Sequence, residues 1–160
     1  MIKVEIISVG KLKENFWKSA INEYAKRLKA FCNFSILEVK DEKIADNISD
    51  NEITKIKEIE GKRILSKIKQ DSFIFCLDMR GKEYSSEKFA ARLNKLATYD
   101  TSKFVFIIGG SLGLSQEVLN MADERVSFGK FTLPHQLMRV VLTEQIYRSF
   151  MINNGRVYHK

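Results

Sequence analysis

The stretch FVFIIGGSLGLS, Phe104 to Ser115, runs five large apolar residues into the pair Gly109–Gly110, and Gly113 follows three positions later. A short apolar run bounded by glycine reads as a strand buried on both faces, as in a parallel sheet. The same signal recurs on either side of it. Upstream, Ser72 to Leu77 is a second continuous apolar strand, and DMRGKEYSS after it reads as its loop. Between the two runs, Phe89, Leu93 and Leu96 keep helical spacing. Downstream, Ser115 caps a short helix with Glu117 at its positive end, and Arg125 to Phe128 reads as a further strand.

The alternation extends to both ends of the chain. Ile2 to Val9 and Phe34 to Val39 read as strands, and Glu14 to Phe31 as a helix with Trp17, Ile21, Tyr24, Leu28 and Phe31 on one face. SDNE, Ser49 to Glu52, has the form of a capping box; the helix it opens carries Gly61, which weakens it. The longest helical pattern starts at the only proline, Pro134, where a missing N–H costs nothing, and stops before Gly155. Five strand-then-helix units with no linker or repeat predict an α/β fold. Its sheet is mostly parallel and flanked by helices, in one domain over residues 1–160.

The 160 residues carry 27 Lys and Arg against 20 Asp and Glu, a net charge of +7, which points to polyanionic partners, with nucleic acid ahead of membrane. Cys32 and Cys76 lie far apart in apolar surroundings and read as reduced core thiols of a cytoplasmic protein. The first ten residues interrupt their apolar run with an acid, unlike a signal peptide, and no stretch approaches the roughly 20 residues of a membrane span. His135 and His159 have no metal-ligand spacing, so no metal is expected.

In an open parallel sheet, ligands bind beyond the carboxyl ends of the strands. Three glycine-bearing segments qualify: LDMRGK from Leu77, GGSLGLS from Gly109, and FGKFTLPH from Phe128. The glycine spacing is not that of a dinucleotide fingerprint, and none of the four Gly-Lys pairs is followed by Ser or Thr as a phosphate-binding loop requires. Taken alone, the glycine pair reads as readily as a tight turn or close helix-to-sheet packing as it does as a backbone contact with a ligand. Apolar Leu137, Val140, Val141, Ile146, Phe150 and Met151 exceed one face of the last helix, which fits either a central core helix or a dimer interface. The closing RVYHK places a guanidinium, a phenol and an imidazole within four residues, where fraying would be the ordinary expectation.

Taken together, VGKLKE, RGKEYSSEKFA, FVFIIGGSLGL, TLPHQLMRVVLTEQIYRSF and the closing YHK resemble the RlmH family of small SPOUT-superfamily methyltransferases, in order and over nearly the whole chain. The resemblance implies an α/β domain with a C-terminal trefoil knot, assembled as a homodimer. It implies methyl transfer from S-adenosyl-L-methionine to the N3 nitrogen of a pseudouridine in a large-subunit ribosomal RNA stem-loop, on the ribosome. It maps the cofactor contacts onto Leu77, Gly109, Phe128, Gly129, Lys130, Phe131, Thr132 and Leu133. Gly129 stands where relatives often carry serine, so only backbone contacts carry over there.

A sulfonium donor needs no metal, but the imide nitrogen of pseudouridine must lose a proton. His159 is expected as base or relay, Tyr158 as stacking or hydrogen-bonding partner, and Arg156 as anion contact; Arg139 and Lys130 are expected on the RNA backbone. Two other readings compete. A non-catalytic RNA-binding assembly factor explains the charge but not the glycine loops, and an adenine-nucleotide sensor explains the loops but not RVYHK.

Overall fold

The computed structural model describes residues 1–160. Five strands, β1 (Ile2–Val9), β2 (Cys32–Val39), β3 (Phe73–Glu83), β4 (Lys103–Ile108) and β5 (Glu124–Ser127), alternate with five helices. The helices are α1 (Asn15–Leu28), α2 (Asp50–Leu65), α3 (Ser86–Tyr99), α4 (Gln116–Met121) and α5 (His135–Asn153). All strand pairs are parallel, in the order β2-β1-β4-β3-β5.

The sheet is apolar on both faces because successive side chains of a strand point to opposite sides. Val4 and Ile6 of β1, Phe75 of β3 and Phe104, Phe106 and Ile108 of β4 face a layer shared with α1, α3 and α5. Ile7, Val9, Ile74, Cys76, Val105 and Ile107 face the opposite layer, closed by α2 and α4. Phe75 and Phe106 stack at 4.8 Å across adjacent strands. Both cysteines are buried, and burial pushes their thiols up to about 12, which leaves them unreactive.

The Ser49–Glu52 capping box forms with both of its reciprocal hydrogen bonds. Gly61 does not interrupt α2: a Cβ there would stand 2.4 Å from Ser115 Oγ, so the glycine lets α2 approach the start of α4. Several elements shift by a residue, α1 ends at Leu28 rather than Phe31, and two strand boundaries move further. β2 begins two residues earlier, at Cys32, and β3 does not stop at Leu77 but runs to Glu83. The physical reason for the second is an out-of-register excursion: Leu77 and Lys82 both pair with Val126, so residues 78–81 leave the ladder and rejoin it.

Gly81 closes that excursion, with the backbone of Arg125 and Val126 only 2.6–2.8 Å from where its Cβ would lie. Gly81→Ala is therefore expected to destabilise the protein by about 1–3 kcal/mol, because paired strand backbone cannot yield as a side chain can. Urea unfolding checks this; an unchanged midpoint would show that the bulge opens freely.

Candidate active site

The carboxyl ends of the neighbouring strands β4, β3 and β5 open onto one cavity of about 500 Å³. Leu77 to Met79, Ile108 to Ser111 with Gly113, and Val126 to Gly129 form three of its walls. Phe131 to His135 and Met138, at the start of α5, form the fourth. The volume suits a ligand of nucleoside size, and the lining is largely apolar side chains and bare backbone. Seven of the eight residues expected at a cofactor line it: Leu77, Gly109, Phe128, Gly129, Phe131, Thr132 and Leu133. Lys130 does not; it is exposed between Gly129 and Phe131, the latter 88% exposed at the rim.

The glycine pair serves the loop before it serves any ligand. A Cβ on Gly109 would stand 2.9 Å from the carbonyl carbon of Gly113, and one on Gly110 would meet Val9 and the Glu60 carboxylate. Gly113 turns the chain at φ +88°, and its N–H donates to the Gly110 carbonyl at 3.0 Å. Gly129 has φ +107°, a conformation that favours glycine, and the Ser127 hydroxyl bonds its N–H and carbonyl. Side chains are thus excluded at these turns, which leaves main-chain groups along the wall.

Glu60 escaped sequence reading. It is buried beneath Gly110, accepts from the Glu42 N–H at 3.0 Å, and burial raises its carboxyl above the usual range. Its only sequence signal is an acid among the inward positions of α2. His135 stands in the cavity wall, where burial and the neighbouring Arg139 charge favour the neutral imidazole.

Arg139 corrects an expectation. It is fully buried, not displayed to an RNA backbone. Its Nη1 donates to Glu38 at 2.8 Å, and its Nη2 donates to the carbonyls of Val9 and Gly10 at 3.0 and 2.8 Å. Glu38 also accepts from the Leu12 N–H, and Gln136 from the Lys13 N–H. The VGKLKE segment is thereby tied to the start of α5, beside the cavity.

The tail does not fray. Beyond Gly155, at φ +62°, the chain folds back on α5. Tyr158 packs edge-on against Tyr147, with ring centres 5.0 Å apart, and its hydroxyl donates to Glu144 at 3.1 Å. Arg148 bonds Glu144 and also lies 3.1 Å from His159 Nδ1, while His159 Nε2 lies 2.7 Å from Glu87. A guanidinium only donates, so Nδ1 is the acceptor and Nε2–H faces the carboxylate. Burial and Glu144 push the Tyr158 phenol up to about 12, so it is a donor at neutral pH. Arg156 is exposed, and none of the three tail residues lines the cavity of its own chain.

Residues 2–159 match the family model described as "Predicted SPOUT methyltransferase". The chain belongs to the SPOUT methyltransferase family. Among its relatives, a Ligilactobacillus salivarius protein named "Ribosomal RNA large subunit methyltransferase H" is 58% identical over 159 residues, covering 99% of this chain and 100% of the relative. Proteins of the same name from Lactiplantibacillus plantarum and Bacillus thuringiensis are 56% and 54% identical over the same length. A solved structure of "a probable methylase family protein from Haemophilus influenzae Rd KW20" shares the fold, with TM-score 0.52 at 13% identity, over 99% of this chain and 70% of that one. This SPOUT chain gathers no three His, Cys, Asp or Glu side chains that could hold a metal, and has no helix long and apolar enough to cross a membrane.

Proposed function

We propose that this protein transfers a methyl group from S-adenosyl-L-methionine to the N3 nitrogen of a pseudouridine in large-subunit ribosomal RNA, working in the cytoplasm on the assembled ribosome as a homodimer. The observation that carries the reading is the convergence of three strand-end loops on one cavity of nucleoside size, in a chain whose near-identical-length relatives are named for ribosomal RNA methylation. The cavity fits the donor: a flat adenosine can lie between apolar walls while main-chain N–H and C=O groups of residues 128–133 read its edge.

The bound donor supplies a methyl group already activated on a sulfonium. The chain's own task is to orient it and to manage the imide proton. His159 accepts that proton after exchanging Arg148 for the substrate at Nδ1. Tyr158 remains a phenol and positions the base by hydrogen bonding or stacking. Exposed Arg156 and Lys130 contact phosphate. Because the tail lies apart from the cavity of its own chain, the tail that completes a site comes from the second copy. Leu137 and Val141 of α5, only partly covered in one chain, supply part of that interface.

Ribosomes from a strain lacking the gene should gain one methylated pseudouridine on incubation with this protein and S-adenosylmethionine, read by nucleoside mass mapping. No methylation of ribosomes would refute the reading. S-adenosylmethionine at one hundred times its dissociation constant should stabilise the fold by about 2.7 kcal/mol, whereas ATP and NAD should not. Light scattering at micromolar concentration should give twice the chain mass; a monomer would remove the shared site.

A further inference from the structure

Asp78 is the one carboxylate among the residues lining the cavity. Its Oδ1 accepts from the Arg80 N–H at 3.3 Å, but its Oδ2 is buried without a hydrogen-bond partner. Two guanidinium groups pair with it loosely, Arg80 Nη2 at 3.6 Å and Arg125 Nη1 at 3.9 Å, both beyond hydrogen-bond distance. A buried carboxylate oxygen with ion pairs but no hydrogen-bond donor has room for a further donor, and a ligand can supply it. The backbone does not relax to supply it, because residues 78–81 are pinned between Leu77 and Lys82, which both pair with Val126, and Gly81 is pressed on the facing strand.

We propose that Asp78 receives the α-ammonium group of the methyl donor's amino-acid arm, an assignment that rests on the S-adenosylmethionine reading above. An ammonium is the donor that suits an anionic oxygen, and the adenosine half of the ligand offers no cation. The two guanidinium groups that pair with Asp78 supply positive charge nearby for the α-carboxylate of the same arm. A zwitterionic head group thus meets both signs of charge at the β3 bulge, while the apolar walls and the main chain of residues 128–133 take the nucleoside.

Calorimetric titration of wild-type protein and Asp78→Asn with S-adenosylhomocysteine and with 5′-methylthioadenosine, which lacks the amino-acid arm, tests this. Asp78→Asn should bind S-adenosylhomocysteine roughly ten- to hundredfold more weakly and 5′-methylthioadenosine within about twofold of wild type. Retained affinity for the second ligand also shows that the variant is folded. Wild-type affinity of Asp78→Asn for S-adenosylhomocysteine would overturn the assignment alone, as would an equal loss for both ligands. Wild-type protein that bound neither ligand would overturn the cofactor reading and this assignment with it.

Discussion

Removing Arg156 to Lys160 is expected to lower methyl transfer by roughly 10²–10⁴-fold, the range that a positioned general base supplies. Affinity for S-adenosylmethionine should remain near wild type, because the residues around the cavity lie between Leu77 and Met138. The deletion also strips Tyr158 from Tyr147 and leaves Glu144 and Arg148 to solvent, so a modest loss of stability accompanies it. Point variants separate the causes. His159→Ala should reproduce most of the activity loss, whereas Arg156→Ala should mainly weaken ribosome docking and reduce its salt dependence. Co-expressing the tail-deleted chain with Thr132→Trp, which fills the cavity mouth, should restore about a quarter of the sites, since each mixed dimer rebuilds one of its two. Full activity of the truncated protein would place the proton acceptor elsewhere. No recovery in mixed dimers would place tail and cavity in the same chain.

The sheet was legible because parallel strands write continuous apolar runs; FVFII and FIFCL needed no context to be recognised. The loops around the cavity were legible for a related reason, since the strand-end rule asks only where each run stops. What sequence missed depended on contacts distant in the chain. Nothing in DMRGK says that Lys82 returns to the partner Leu77 had just left, because that register is set by Val126, more than forty positions on. Glycines were ambiguous in the same way. Gly61 looks like a weak point of a helix until Ser115 is found beside it, and Gly109 looks like a ligand contact until Gly113 is. The tail was recognised by its residue types, yet its holding network of Glu87, Glu144 and Arg148 spans 72 positions at its widest hydrogen bond.

Arg139 is the sharpest case of a residue whose type misled. An arginine on a helix of a basic protein suggests a phosphate, but this side chain is 0% exposed and spends its fork on one carboxylate and two carbonyls. Arg139→Ala is expected to cost about 3–5 kcal/mol, since it leaves the Val9 and Gly10 carbonyls unpaired and opens a void beneath α5. At roughly 2–4 °C per kcal/mol for a chain of this size, the melting temperature should fall by about 10 °C. Arg139→Lys should recover only part of this, because an ammonium lacks the planar fork that reaches three acceptors at once. Glu38→Gln should cost less, because Glu38 is more than one-third exposed and its neutral amide oxygen still accepts. The effect should spread to the cofactor: His135 and Met138 sit on the same helix start, so loosening it weakens S-adenosylmethionine binding as well. An Arg139→Ala protein with unchanged melting but a shallower salt dependence of ribosome binding would return this residue to the RNA surface. Loss of stability with an unchanged salt slope would fix it as the clamp that holds α5 against the ends of β1 and β2.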